Sequence, residues 1–235
     1  MLIYVIIIGF MLAGWLVSAR LKSKFKKYAE TTIGSGLSGQ EIAEKMLRDH
    51  GINDVRIISV EGQLTDHYNP LDKTVNLSHE VYYGRHAAAA AVSAHEVGHA
   101  VQPARTYSWL QFRSAMVPIV SFGSKWVQWV LLAGVLLLNS FPQLLLIGIV
   151  MFGLITLFSF ITLPVEFDAS NRAMVWLESS RTANTGELTM AKDALKWAAM
   201  TYVIAALSSL ATLLWRGHCS HLRRFRHAWR TSIPS

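Results

Sequence analysis

The chain has 235 residues, of which 52% are hydrophobic and only 16% charged, a balance too apolar for an ordinary soluble protein. Its net charge of +7 gathers beside apolar runs, at Arg20 to Lys27 and Arg216 to Arg230, which fits anchoring beside a membrane better than a nucleic-acid surface. The single cysteine, Cys219, excludes an intrachain disulfide and leaves nitrogen and oxygen to bind any zinc.

In chain order, Leu2 to Ala19 is a continuous apolar segment ending in Val17-Ser18-Ala19, which reads as a membrane anchor or a signal sequence. The start lacks a positive region and Arg20, Lys22, Lys24, Lys26 and Lys27 follow at once, so an uncleaved anchor with a cytoplasmic basic flank is expected. After a Gly/Ser linker, Ser38-Gly39-Gln40-Glu41 is a capping box that predicts a helix from Gly39 to His50. Val55, Ile57 and Val60 predict a strand, Glu61-Gly62 a turn, and the alternation of Thr74 to Ser78 a second strand. These elements predict a small β-hairpin or edge sheet. It serves either to pair with an extended substrate or merely to cover the next helix. His67, in the turn region, is a candidate for contacting an oxyanion.

The next stretch, Ala87 to Gln102, contains His95-Glu96-Val97-Gly98-His99. Histidines four positions apart leave one face of an α-helix, so both can occupy corners of a tetrahedral zinc site. Glu96 is the candidate catalytic base, close enough to take a proton from a water without entering the coordination sphere. The consecutive alanines before it thin the helix for close packing, and Pro103 marks its expected end.

A run within Ile119 to Leu138, then Leu144 to Leu163, and finally Trp197 to Trp215 are each long enough for a ~30 Å hydrocarbon core. The second returns the chain to the side of His95 and His99. Leu163-Pro164-Val165-Glu166-Phe167-Asp168-Ala169-Ser170-Asn171-Arg172 follows, with Pro164 expected near a helix start. Catalytic zinc normally takes three protein ligands and a water. Glu166 is the favoured third ligand and Asp168 its rival, the other of the two being left to orient a histidine. Arg172 is a candidate for stabilising oxyanion charge, or for meeting a lipid phosphate or a carboxylate.

Ala94 to Gln102, together with Leu163 to Ser170 and Asp66-His67-Tyr68-Asn69-Pro70, closely resembles the neutral zinc metallopeptidases of bacterial membranes of the YugP type, over about Met1 to Leu214. The resemblance implies a membrane-embedded zinc peptidase with His95 and His99 as metal ligands and Glu96 as base. A looser likeness joins it to the integral-membrane heat-shock and prenyl-protein zinc proteases, whose third ligand lies in a Glu-x-x-Ala-Asp pattern. Glu166-Phe167-Asp168-Ala169-Ser170 matches that pattern except that serine replaces the last aspartate.

The expected fold is therefore mainly α and integral to the membrane: a zincin-like metal helix, the small sheet and about four membrane helices. The expected division is an anchor at 1–19, a catalytic region at 20–115, a helical hairpin at 116–165, a third-ligand helix at 166–196, a last span at 197–215 and a basic tail at 216–235. The last helix begins near Thr189. If it spans, its five arginines end outside, against the positive-inside tendency. The expected activity is a gluzincin-like endopeptidase with one Zn²⁺, acting on a peptide or membrane-protein substrate at the cytoplasmic face of the cell membrane, with the lipid bilayer as partner and no nucleic acid. The alternative is a non-catalytic membrane adaptor or scaffold whose metal site is structural or vestigial, which a fourth protein ligand, from His67 or His79, would support. A zinc transporter would need ligands at mid-membrane, where His95, His99 and Glu166 do not fall.

Overall fold

The computed structural model describes residues 2–104, 108–138 and 140–231, without the side chains of 2–4, 104, 111 and 216–231. Cys219, the basic side chains of the tail and Asn139 thus lie outside the described residues. Seven helices and three strands follow in order: α1 Leu2–Ala29, α2 Gly39–Asp49, β1 Arg56–Val60, β2 His67–Asn69, β3 Thr74–Ser78, α3 His79–Tyr83, α4 Ala87–Ala104, α5 Ser108–Leu136, α6 Pro142–Ser179 and α7 Thr185–Thr231. Among the described residues four helices are long and apolar enough to cross a membrane, with candidate spans Val5–Ala29, Ser108–Leu136, Pro142–Ser179 and Thr185–Trp215.

The chain forms two compact units. The first holds the start of α1 to Gly14, Arg113–Ile161 and α7 from Val203. Here α5 and α6 meet through glycines. A Cβ on Gly134 would lie 2.6 Å from Leu145 Cα, and one on Gly148 would lie 2.8 Å from the Leu131 side chain. Such small residues let helix backbones approach where lipid supplies no hydrophobic drive for association. The outward faces stay apolar, with Phe122 68% and Leu136 74% exposed, the reverse of a water-soluble surface.

The second unit holds Trp15–Phe112 and Thr162–Tyr202. Its core forms where α2, α3, β3 and the alanine-rich α4 bury Ile42, Met46, Val75, Leu77, Val81 and Ala88 to Ala91. The capping box starts α2 as expected: Ser38 Oγ accepts from Glu41 N–H and the Glu41 side chain accepts from Ser38 N–H. Ser93 on α4 donates to the Gly39 carbonyl, and Gly39 has no room for a Cβ beside the Val81 carbonyl. The α4 face that carries small residues is the one α2 approaches.

The sheet has three strands in the order β1-β3-β2. β1 runs parallel to β3, in the register Arg56 to Thr74 through Val60 to Ser78, while β2 is antiparallel to β3. His67 and Tyr68 therefore lie in a strand rather than a turn, and the hairpin partner of Thr74 to Ser78 is this strand. Gly62 takes φ +100 in the turn after β1.

Pro164 stands inside α6, not at its start, so the returning span and the Glu166 segment are one helix. Pro103 likewise falls inside α4, one residue before its end. The α7 helix begins four residues earlier than Thr189, because Asn184 and Glu187 cap it reciprocally: Asn184 Oδ1 accepts from Glu187 N–H at 3.0 Å and Glu187 Oε2 accepts from Asn184 N–H at 2.8 Å.

Within this unit side chains tie the helices together. Tyr28 and Lys24 of α1 reach Asp193 of α7 at 2.5 and 2.8 Å. Trp176 of α6 donates its indole N–H to Asp49 at the end of α2 at 3.0 Å. These links join α1 to α7 and α6 to α2.

Candidate metal centre

The α4 helix presents His95 and His99 side by side, ring centroids 4.8 Å apart, as one helical turn requires. Glu166 of α6 comes up to both. Its Oε2 lies 3.4 Å from His95 Nε2 and 3.5 Å from His99 Nε2. Their closeness is set one position away, at Gly98: a Cβ there would stand 2.5 Å from the Ala169 carbonyl oxygen. Glycine between the two histidines lets the α6 backbone lie against α4.

His95, His99 and Glu166 are a group whose donor atoms all lie within 4.8 Å of one another. Glu166 is only 3% exposed, and its Oε2 is buried with no hydrogen-bond partner. A buried carboxylate oxygen left without a hydrogen bond is costly, and here it faces two imidazole nitrogens at distances too long for good hydrogen bonds. A cation between them would satisfy all three atoms. Two imidazoles and a carboxylate suit zinc and leave a fourth position open. The residues present therefore fit a zinc ion.

Each histidine is held through its other ring nitrogen. Ser170 Oγ lies 3.1 Å from His95 Nδ1, so the serine that replaces the aspartate of the related pattern still meets the ring. Gln102 Oε1 lies 3.1 Å from His99 Nδ1, and Gln102 Nε2 donates to the Val165 carbonyl at 2.8 Å and to Asp168 Oδ2 at 2.9 Å. The Val165 carbonyl can only accept, which fixes the amide nitrogen toward it and the amide oxygen toward His99. The Gln102 acceptor at Nδ1 keeps the proton of a neutral His99 there and leaves the Nε2 lone pair for a metal.

Asp168 is thus behind Gln102 rather than among the three grouped donors. Arg172 Nε donates to Asp168 Oδ2 at 2.6 Å, a carboxylate partner of the kind expected for it as an alternative. His67 is exposed, its Nδ1 against the Thr65 carbonyl at 2.7 Å, and His79 stacks on Tyr83 at 4.7 Å. Neither belongs to the donor group found among the described residues.

Glu96 lies on the neighbouring face of α4, 7% exposed, and lines one cavity with His95, Glu166, Ser170 and Asp66. Burial pushes its carboxyl above the usual range, while His95 and His99 pull the other way. Burial alone would lower His99, but the Glu166 carboxylate beside it outweighs that and raises the imidazole. Asp66, whose role sequence reasoning missed, accepts from Ser78 N–H and Oγ at 2.7 and 3.0 Å, and burial raises its carboxyl too. The only sequence signal for it was its place in the Asp66-His67-Tyr68-Asn69-Pro70 segment.

The family model described as "Putative neutral zinc metallopeptidase" matches residues 3–216. The chain is 43% identical over 195 residues to the "Putative membrane protease YugP" of Bacillus subtilis (strain 168), covering 83% of this chain and 86% of that protein. No solved structure matches it. With nearly its whole length inside that model, the chain belongs to the neutral zinc metallopeptidase family.

Proposed function

We propose that this protein is a multi-pass, membrane-embedded zinc endopeptidase of the gluzincin kind, with one zinc ion held by His95, His99 and Glu166 and with Glu96 as general base. The observation that carries this reading is the orphaned Glu166 oxygen facing two imidazole nitrogens. When bound, zinc would supply Lewis acidity, making a water acidic near neutral pH and polarising the scissile carbonyl. Glu96 takes the proton from the attacking water at a carboxylate oxygen and returns it to the leaving amine. Its buried setting raises its basicity toward the range where a general base works best at neutral pH.

Gln102 and Ser170 hold the two imidazoles in the tautomer that offers Nε2 to a metal. The substrate is a peptide segment of a membrane or membrane-associated protein, and the site lies at the cytoplasmic face. The charges flanking α1 and the four apolar helices support that placement.

The test is peptide cleavage by detergent-purified protein beside Glu96→Gln. The variant keeps its zinc and loses about 10²-fold or more of turnover. Undiminished cleavage by a zinc-loaded Glu96→Gln would refute the base.

A further inference from the structure

Glu96, Glu166, His95, Ser170 and Asp66 line part of a cavity of about 110 Å³ whose remaining lining is an apolar recess. Phe25 of α1, Val92 of α4 and Ala194, Ala198, Ala199 and Tyr202 of α7 are among the walls of that recess. The three alanines recur at a spacing that puts them on one face of α7, and their small side chains are what leaves the space. Phe25, Ala194 and Ala199 are buried. None of these residues serves the chemistry proposed above.

We infer that this recess is a specificity subsite that takes one aliphatic side chain of the substrate beside the scissile bond. The inference rests on the peptidase reading and deepens it. What points to a ligand there is that these apolar walls belong to the same cavity as Glu96 and Glu166, which places any occupant next to the reacting position. Size sets the class. An apolar cavity of ~150 Å³ holds a benzene molecule, so the apolar part of a cavity of about 110 Å³ fits nothing larger than the side chain of leucine, isoleucine or methionine and is too small for an indole. An acidic side chain would meet Asp66, Glu96 and Glu166 in the same cavity, and the walls named above carry no group to pair with it. Two walls belong to helices apolar enough to cross a membrane, in keeping with substrate segments that are themselves apolar.

The test compares leucine hydroxamate with glycine hydroxamate, which share a metal-binding head and differ in the side chain. Their affinities for the zinc-loaded, detergent-purified protein are measured by calorimetry, and kcat/KM is measured for quenched peptides carrying Leu, Gly or Trp beside the scissile bond. The wild type favours leucine over glycine about tenfold or more in both. Ala198→Leu, which fills the recess, brings that ratio close to one, and Phe25→Ala, which enlarges it, raises the Trp peptide relative to Leu. A leucine-to-glycine ratio near one in the wild type overturns the subsite, as does a ratio that neither variant moves. Binding selectivity without cleavage of any peptide would sink the peptidase reading and leave the subsite standing.

Discussion

Gly98 lies against the backbone of Ala169, so closely that a methyl group on Gly98 would sit 2.5 Å from the Ala169 carbonyl oxygen. This contact carries the site, because the position between His95 and His99 decides how near α6, and with it Glu166, can come.

Gly98→Ala is therefore expected to damage the site although alanine is the better helix former. Overpacking of a backbone contact costs about 1–3 kcal/mol, and the shift of α6 weakens zinc binding more than it lowers the melting temperature. Zinc content after dialysis, measured beside thermal unfolding, checks this. A Gly98→Ala protein with wild-type zinc affinity would show that the close approach is incidental.

Gln102 is buried between His99, Val165 and Asp168. Replacing it by leucine removes the acceptor that holds His99 in its tautomer, and the zinc dissociation constant rises about 10–100-fold. Gln102→Glu combined with Asp168→Asn, which offers the new carboxylate a donor in place of a facing charge, retains an acceptor toward His99 and should bind zinc more tightly than Gln102→Leu. Competition with a chromophoric chelator measures both. Equal affinities in the two variants would mean that packing, not the hydrogen bond, is what the residue supplies.

Glu166 and Asp168 lie two residues apart on α6, Glu166 facing the two imidazoles and Asp168 accepting from Gln102. Glu166→Gln replaces a charged ligand with a neutral amide, and the protein should no longer retain stoichiometric zinc. Asp168→Asn keeps an acceptor for Gln102 and should retain its zinc, with less than about tenfold loss of affinity. The reverse pattern would return Asp168 to the coordination sphere.

Zinc binding should strengthen as pH rises. In the metal-free protein the neighbouring Glu166 carboxylate raises His99 despite burial, so His99 keeps the proton that zinc must displace up to a higher pH than an ordinary imidazole does. The same raised value means that the His99 to Glu166 ion pair stabilises the metal-free fold fully below the unfolded histidine range. That contribution is lost as pH climbs through the folded value. Apparent zinc affinity should therefore increase across neutral pH while the metal-free protein gains nothing from the same change. Affinities measured at several pH values with a non-titrating competitor check this, and a flat profile would contradict it.

The chemistry-bearing residues were legible because each obeys a local rule. The four-residue spacing puts His95 and His99 on one face, Ser38 and Glu41 form a reciprocal cap, and long apolar runs announce the membrane helices. Three things escaped because they depend on distant partners. The strand at His67 to Asn69 is too short to show a period and exists only through pairing with β3. The parallel pairing of β1 with β3 leaves no mark in either segment. Gln102 reads as one more residue of the metal helix until Val165 is brought beside it. Pro164 misled for a different reason: proline commonly opens a helix, but a long apolar helix can continue through one. The cap at Asn184 and Glu187, by contrast, was readable as the reciprocal pattern and would have placed the start of α7 correctly.

The most direct measurement is zinc K-edge X-ray absorption on the detergent-purified, zinc-loaded protein. The proposed site predicts zinc bound by two imidazole nitrogens and by carboxylate and water oxygens at about 2.0–2.2 Å, with the carboxylate contribution lost in Glu166→Gln. A sulfur shell, a third imidazole, or a spectrum that Glu166→Gln leaves unchanged would contradict it.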